Sequence, residues 1–472
     1  RVGVHPGAVS EPPTVSTPAT GATTNAWYGP LATPPVLAAL AIGLAAVLRL
    51  PTLAQPLVEA HPWRQTQTAF TAAIYAKEGI DLLNPQVPVL GPPFTMHLEF
   101  PLYQAVAAVL IDAGVQTEVA LRGLALVSFL ATAAVLWLML SRHVGDRAAF
   151  IALLVFLFSP YALLWSRSSM IEYPATLGVV LFMFGTLEWH AGRGRRWFVL
   201  AAVAGSVAAL IKITTAVFWV APALLTRRLM AFVLCAIPGG IGLAWTLWAG
   251  AQREATPLVD GMSGEFWIGW NLGGDRLALE TWVDLLLPTL FWMSMLLLPF
   301  ALLVIHRSER LIWTWFAIAM IGPMLLFTNL YSIHDYYAVA ISPAVAALVG
   351  GGLDRMLGQA GRRWPLVAAS LITVAVAVLV VSFDYWSRAY ASVDDHVILQ
   401  GAEIVREATT EGENVDLGCD DWDPSIMFYA ERKGFAAYGD GTFTIFDDPV
   451  SYTHLRAHET TSHISYAVFC LK

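Results

Sequence analysis

Long apolar stretches alternate with short polar segments between residues 34 and 384 of the chain. An α-helix needs about 20 apolar residues to cross a bilayer, and roughly this length recurs along the chain. The stretches span residues 34–50, 120–141, 148–165, 173–190, 197–211, 213–226, 229–250, 281–304, 311–328, 337–353 and 365–384. The pattern predicts an all-α polytopic membrane protein with about eleven transmembrane helices, of which the short pair around Lys212 is the easiest to miscount.

The polar segment between the first two stretches, residues 51–119, has its own periodic pattern. Apolar residues recur with helical spacing from Thr66 to Glu78, which predicts an amphipathic helix on the membrane surface that ends at Gly79. A proline-rich loop follows. Residues 102–112 then predict a second juxtamembrane or partly inserted helix, which ends near Gly114.

Beyond the last apolar stretch, residues 385–448 lose the membrane pattern and predict a small external α/β domain that is truncated. A helix is expected over residues 394–409, a strand over 414–419 and a second helix over 423–432, with proline at its first position and an end near Gly434. Three nearby aspartates do not have the spacing of a calcium loop, so we interpret them as a turn and a helix cap. They are Asp420, Asp421 and Asp423.

Both termini are set apart from this organisation. Residues 1–33 are rich in proline, threonine, alanine and glycine without periodicity, and they predict a disordered cytoplasmic tail with an incomplete start. Residues 449–472 resemble a translated sequencing adapter, and we interpret them as an artefact outside the fold. The transmembrane domain is therefore expected over residues 34–384.

Composition supports the membrane class. Hydrophobic residues make up 57% of the chain and charged residues 13%, whereas about a quarter of the residues of a soluble domain are charged. The formal net charge of −8 argues against a nucleic-acid partner, which calls for a basic surface. The three cysteines define no disulfide framework.

Arginine is concentrated in alternate loops, and such loops are typical of the cytoplasmic side. This group comprises Arg142, Arg147, Arg193, Arg195, Arg196, Arg227, Arg228, Arg307, Arg310, Arg355, Arg362 and Arg363. The pattern predicts a multi-pass protein of the cell membrane with a cytoplasmic N-terminus. The loop 51–119, the region around Lys212, the segment 331–337 and the C-terminal domain then lie on the external side.

Polar residues of mixed charge cluster on this external side, above all in the run from Glu59 to Thr68. An ordered set of motifs resembles the GT-C superfamily of membrane glycosyltransferases, in particular the family 39 relatives of protein O-mannosyltransferases and aminoarabinose transferases. The motifs are Arg49–Pro51, Glu59–Ala69, Glu99–Tyr103, Ser159–Pro160, Arg167, Met170–Glu172 and Leu210–Lys212. The resemblance covers roughly residues 34–448.

The resemblance implies transfer of a sugar from a polyprenyl-phosphate donor to a lipid, glycan or protein acceptor on the external side, with inversion at the anomeric carbon. A carboxylate must accept the proton of the attacking hydroxyl. Relatives carry an acid near the position of Glu59, and some carry another at that of Gln67, where this chain has an amide. We therefore expect Glu59 to be the general base, with Glu99 as the alternative.

The leaving phosphate calls for cationic groups, and Arg64, Arg167 and Lys212 all lie at external helix ends. No metal and no cofactor is required by this scheme. The remaining expected substrate-binding residues are His61, Gln65, Glu172, His334 and Asp335.

Each of these residues has a structural alternative. His61 can hold its loop by hydrogen bonds, and Arg64 and Gln65 can pin the helix to lipid headgroups. Glu172 is favourable at a helix start whatever its function, and Lys212 can extend towards the interface. His334 and Asp335 can cap a helix.

At the level of the whole protein, the competing function is a transporter or flippase of polyprenyl-linked sugars or small solutes. We see no internal repeat of the kind that transporters use to form a site at the bilayer midplane. A lipid-linked oligosaccharide ligase is the alternative among enzymes.

Overall fold

A computed structural model describes residues 33–89, 91–254, 309–327, 331, 334–359, 380, 387, 393, 396–417, 423–436 and 453–454. For a few of these, Asp335 among them, only the backbone is described. The described part of the chain is mostly helical. Its α-helices are α1 (Pro34–Val47), α2 (Pro62–Glu78), α3 (Leu102–Asp112), α4 (Thr117–His143), α5 (Asp146–Phe158), α6 (Pro160–Trp165), α7 (Glu172–His190), α8 (Arg195–Ile211), α9 (Ile213–Val220), α10 (Leu229–Glu254), α11 (Arg310–Leu326), α12 (Ser342–Gln359), α13 (Val397–Ala408) and α14 (Ser425–Ala430).

Short 3-10 helices extend some of these elements and cover Leu50–Thr52, Ala221–Thr226 and Asp335–Ile341. Four helical segments among the described residues are long and apolar enough to cross a membrane. These are Pro34–Thr52, Thr117–His143, Leu229–Gln252 and Tyr336–Gly358. The stretch 281–304 and nearly all of 365–384 lie outside the described residues, so the number of eleven spans stays a prediction.

Helix α7 lies at the centre of the bundle and packs closely against α8. A Cβ atom on Gly178 of α7 would lie 2.9 Å from the carbonyl oxygen of Ala204 and 2.9 Å from the Cβ of Ala208. A Cβ atom on Gly185, two turns further along α7, would lie 2.8 Å from the carbonyl oxygen of Trp197 in α8. Small residues therefore allow the two backbones to approach, as is usual between membrane helices.

Charged residues gather at both ends of the bundle. Glu188, near the end of α7, is fully buried and contacts Arg142, His143 and Arg193. Several of the loop arginines are thus joined at one end, as the alternating loop pattern predicts. The opposite end of α7 begins at Glu172, where the residues expected in the site lie. Which end faces the cytoplasm stays a prediction.

Helix α2 begins four residues earlier than the apolar pattern predicts and ends at Glu78, with Gly79 at φ 100°. His61 precedes it with a left-handed backbone (φ 50°), and Pro62 occupies its first position. Its polar side chains from Arg64 to Thr68 are buried. The expected exposed face of a surface helix is therefore covered by protein, because Arg64 and Gln67 contact the first loop, Gln65 contacts Ser169, and Thr66 contacts Ser425 of the C-terminal domain.

The C-terminal domain contains α13, strand β1 (Val415–Leu417), α14 and strand β2 (Gly434–Ala436), and β1 and β2 are parallel. A third strand, β3 (Thr453–His454), pairs with the other edge of β1 and lies within the segment 449–472. The interpretation of that segment as an artefact stays a prediction.

The second helix of this domain ends earlier than expected. It stops at Ala430, and Glu431 takes the left-handed conformation (φ 56°). Gly434 does not cap the helix but opens β2, where a Cβ would lie 1.9 Å from the carbonyl oxygen of Val415. Glycine is required there by the close approach of two strands.

Candidate active site

Glu59 lies between two buried arginines at the end of the bundle. Arg122 Nη1 lies 2.6 Å from Glu59 Oε1, and Arg122 Nη2 donates to Oε2 at 2.8 Å, which makes a bidentate pair. Arg167 Nη1 adds a contact of 3.2 Å to Oε1. Arg122 and Arg167 are 0% and 1% exposed. Both carboxylate oxygens of Glu59 are therefore engaged by guanidinium groups.

This environment decides the protonation of Glu59. Burial by itself would raise the pKa of the carboxyl group, but the charges of Arg122 and Arg167 outweigh burial and hold the pKa below its ordinary value of 4.5. Glu59 is consequently ionised at neutral pH. Because guanidinium groups contact both of its oxygens, Glu59 is a weaker proton acceptor than a free carboxylate.

Arg64 and Glu99 form a second pair nearby. Arg64 is the third residue of α2, and its Nη2 lies 2.8 Å from Glu99 Oε1 while its Nη1 donates to Gln67 Oε1. Burial would raise the pKa of Glu99, but the charges of Arg64 and then Lys212 lower it overall. The Glu99 side chain is 24% exposed, against 9% for Glu59. Glu99 is thus the more accessible of the two expected bases.

Lys212 occupies the break between α8 and α9, where its extended backbone (φ −159°) interrupts the helix. Its Nζ lies 2.6 Å from Glu172 Oε1, and the two side chains are 3% and 2% exposed. The same Nζ lies 3.6 Å from the centroid of the Tyr337 ring. The other oxygen of Glu172, Oε2, is buried and finds no hydrogen-bond partner among the described residues.

These pairs belong to one electrostatic cluster. The positive charge of Arg64 interacts with the charges of both Glu172 and Glu99. The charge of Glu99 also interacts with that of Lys212. Two cations that are far apart in sequence therefore stabilise the charge of one carboxylate. We call Arg64, Glu99, Glu172 and Lys212 the mixed-charge cluster.

Aromatic rings cover this cluster. His61 lies 5.1 Å from Tyr336 and 5.8 Å from Trp165 between ring centroids, and His334 stacks on Tyr336 at 5.3 Å and on Tyr337 at 5.9 Å. The two expected histidines are thus brought together, 6.1 Å apart. The side chain of Asp335 lies outside the described part, so its expected role stays a prediction.

Gln65 has a structural set of contacts. Its Nε2 donates to the carbonyl oxygen of Ala60 at 2.9 Å, and its Oε1 accepts from the backbone N–H of Ser169 at 3.0 Å. Ser169 Oγ also donates to the carbonyl oxygen of Gln65. These bonds join the start of α2 to the segment that carries Arg167.

A small polar cavity lies beside the Arg64–Glu99 pair and measures about 20 Å³, which is room for about one water molecule. Its lining is mainly polar. It comprises Arg64, Gln67, Thr68, Thr71, Pro85, Val87, Met96, Leu98, Glu99, Pro101 and Gln104. Gln104 Oε1 is a buried acceptor without a hydrogen-bond partner among the described residues.

Two residues of the site are missed by the sequence patterns. Arg122 lies inside an apolar span, six residues into α4, and a charged residue there is itself a signal of function. Tyr337 belongs to the polar motif that contains His334, but nothing in the sequence indicates that its ring lies on Lys212. Across the described ranges, no group of three His, Cys, Asp or Glu side chains is placed to hold a metal ion.

The fold is similar to that of ArnT from Cupriavidus metallidurans. The structure of ArnT bound to undecaprenyl phosphate matches with a TM-score of 0.59 and 17% identity, over 84% of this chain and 85% of ArnT. The apo structure of ArnT gives a TM-score of 0.58 and 16% identity over the same shares. No protein-family model matches the chain, and no curated protein sequence does.

The oligosaccharyltransferase of Archaeoglobus fulgidus is a second structural neighbour. Its apo form matches with a TM-score of 0.59 and 12% identity, over 87% of this chain and 65% of that protein. The chain therefore spans about two thirds of the oligosaccharyltransferase. Both neighbours are GT-C superfamily members, and the resemblance predicted from the sequence motifs is confirmed at the level of the fold.

Proposed function

We propose that the chain is an integral membrane glycosyltransferase that transfers a sugar from a polyprenyl-phosphate donor to an acceptor on the external side, with inversion. The observation that carries the proposal is the mixed-charge cluster, in which Arg64 pairs with Glu99 and Lys212 pairs with Glu172 at one end of an apolar helical bundle. The fold of this bundle is shared with ArnT, which has been solved with undecaprenyl phosphate bound.

The reaction requires two kinds of group. An acceptor hydroxyl attacks the anomeric carbon, the bond from that carbon to the phosphate oxygen breaks, and the electron pair leaves with the polyprenyl phosphate. A carboxylate takes the hydroxyl proton, while cations stabilise the charge that grows on the phosphate. No step of this scheme routes through a metal or a cofactor.

Glu99 is the base that the geometry favours. It is more exposed than Glu59, it lines the polar cavity, and its hydrogen-bonded oxygen faces one guanidinium group rather than two. Glu59 is the alternative base, although its pairing with Arg122 and Arg167 makes it a weaker proton acceptor. Otherwise Glu59 serves to hold those two arginines in place.

Lys212 and Arg64 are proposed to bind the phosphate. Each cation is paired with a carboxylate, so a phosphate group would share or displace that partner. Arg167 is the third proposed cation, and His61, His334 and Asp335 are proposed to contact the sugar. Gln65 and Glu172 are proposed to orient these groups, through Ser169 and Lys212 respectively.

Phosphate recognition is tested by thermal stability in lipid nanodiscs. Undecaprenyl phosphate should raise the Tm of the wild-type protein, whereas undecaprenol, which has the same tail without the phosphate, should not. Lys212→Gln should remove most of the difference between the two lipids. Equal shifts from the two lipids would show that the phosphate is not recognised.

Catalysis is tested with labelled polyprenyl-phosphate sugars and a panel of lipid, glycan and peptide acceptors. Glu99→Gln should lower transfer by roughly 10²–10⁴-fold, and Glu59→Gln should lower it less. Full activity in both variants would exclude a first-loop carboxylate as the base. Movement of the labelled lipid across the membrane without cleavage of the glycosidic bond would instead identify a flippase.

A further inference from the structure

Helix α14 of the C-terminal domain contacts the first external loop through three side chains, those of Ser425, Phe428 and Tyr429. Tyr429 Oη accepts a hydrogen bond of 2.5 Å from the backbone N–H of Leu57. The hydroxyl groups of Ser425 and Thr66 lie 3.0 Å apart, and both are fully buried. Phe428 packs edge to face on Phe70, with ring centroids 5.8 Å apart.

The contacted residues stand next to the charged residues of the site. Leu57 lies two positions before Glu59, in the turn that brings this carboxylate to Arg122. Thr66 lies two positions after Arg64, in the first turns of α2. A displacement of α14 would therefore move both charged segments of the loop.

The Ser425 contact belongs to a small hydrogen-bond network. The Ser425 hydroxyl and the Ser425 backbone N–H both donate to Asp423 Oδ1, the latter at 2.8 Å. Thr66 Oγ1 in turn donates to the carbonyl oxygen of Pro62 at 2.7 Å. The contact between the Ser425 and Thr66 hydroxyls therefore links the turn at Asp423 to the first turn of α2.

A second surface of the same domain reinforces this attachment. The backbone of β2 bonds to the first loop, since Gly434 and Ala436 donate to the carbonyl oxygens of Pro88 and Val89, at 3.2 and 2.8 Å. Side chains of α2, α13, β1 and α14 share one apolar core. The loop and the domain consequently behave as one packed unit.

From this arrangement we infer that α14 is a positioning element of the site, in which Tyr429 sets the turn before Glu59 and Ser425 sets the first turns of α2. Neither residue contacts the reacting atoms. The catalytic consequence rests on the proposed function, whereas the positioning itself does not. A molecule that binds to the C-terminal domain and displaces α14 would therefore change the positions of the charged residues through these two contacts.

The first test compares Tyr429→Phe with Tyr75→Phe by amide hydrogen exchange. Both substitutions remove only a hydroxyl, and Tyr75 Oη donates to the Asp81 carbonyl oxygen, elsewhere in the same loop. Tyr429→Phe should raise the exchange rate of residues 53–60 at least tenfold, while Tyr75→Phe leaves it unchanged. Unchanged exchange in Tyr429→Phe would overturn the inference, whether or not the protein transfers sugar.

The second test is a double-mutant cycle between Thr66→Val and Ser425→Ala, read from the Tm. The two shifts should not add, because either substitution breaks the same bond. Thr132→Val combined with Ser425→Ala is the control, since Thr132 bonds within α4 to Ser128, and these shifts should add. Additive shifts in both cycles would show that the Ser425–Thr66 contact has no positioning role.

The third test is the pH profile of transfer. Loosening the first turns of α2 should weaken the pairing of Arg64 with Glu99, the proposed base, and the acidic limb of the Ser425→Ala profile should move to higher pH with little change in KM. A fall in activity without a shift of the profile would indicate general destabilisation and would overturn the catalytic consequence. If the wild type shows no transfer, the proposed function fails while the exchange test still decides the positioning.

Discussion

The ammonium group of Lys212, at the break between α8 and α9, lies 2.6 Å from a carboxylate oxygen of Glu172, at the start of α7, in an almost wholly buried environment. Removal of one partner from a buried pair leaves an uncompensated charge. Such pairs therefore indicate which substitutions the fold can tolerate.

Lys212→Met should destabilise the protein by roughly 3–5 kcal/mol, because Glu172 would stay buried without its partner. The double variant Lys212→Met, Glu172→Gln should recover most of that loss, because no charge would then be left unpaired. Unfolding is followed by denaturant titration in detergent. Lys77→Met is the control, because Lys77 and its partner Glu411 are largely exposed, and its Tm should match the wild type. Equal Tm values for both lysine variants would contradict the prediction.

Glu59→Gln should show a pH-dependent loss of stability. The folded pKa of Glu59 lies below 4.5, so its contribution to stability is present above that pH and is lost as the pH falls through the folded value. The variant should be less stable than the wild type by roughly 3–5 kcal/mol at pH 7. The difference should shrink between pH 4.5 and pH 3. A difference that stays constant over that interval would mean that Glu59 does not titrate as a paired carboxylate.

The effect of Asp423→Asn on stability should have the opposite sign to that of Glu59→Gln at neutral pH. Burial raises the pKa of Asp423 above its ordinary value of 3.8, so the folded state disfavours the ionised form and this effect costs stability as the pH rises. Asparagine keeps the oxygen that accepts from Ser425. The variant should therefore be at least as stable as the wild type at pH 7, and this advantage should disappear towards pH 3. A lower Tm at pH 7 would contradict the prediction.

Gly178→Ala should disturb the contact between α7 and α8. The added methyl group would lie 2.9 Å from backbone and side-chain atoms of α8, and such overpacking costs about 1–3 kcal/mol. Gly43→Ala in α1 is the matched control, since nothing lies within 4 Å of its added Cβ. The control should keep or raise the Tm, whereas Gly178→Ala should lower it. Equal effects would argue against the close packing of α7 on α8.

Helix positions were largely predictable because apolar length and periodicity are local properties of the chain. Helix α3 has the predicted bounds, and α9 with its 3-10 extension lies within one predicted stretch. The start of α2 was placed four residues late, because His61 and Pro62 form its start through a left-handed residue that the apolar pattern does not contain. Gly434 was expected to end a helix, but it opens strand β2. A close contact between strands favours glycine just as a helix end does, so the residue type alone does not distinguish the two.

Candidate residues for the site could be named from the sequence but their pairs could not, and their roles stay predictions. Glu59, Arg64, Arg167 and Lys212 stand out because charged groups are costly beside apolar spans. The sequence has no means of assigning Arg122 rather than Arg64 to Glu59, since these residues belong to different helices. That assignment depends on helix packing.

By itself, the sequence determined that this chain is built from apolar helices, with charged residues collected in alternate connecting segments. These properties follow from composition and from spacing along the chain. Only the tertiary structure decided that Arg64 pairs with Glu99 and Lys212 with Glu172, that two arginines hold Glu59, and that α14 contacts the turn before Glu59. Those relations join residues as far apart as Leu57 and Tyr429, and they exist only once the helices and the C-terminal domain have packed together.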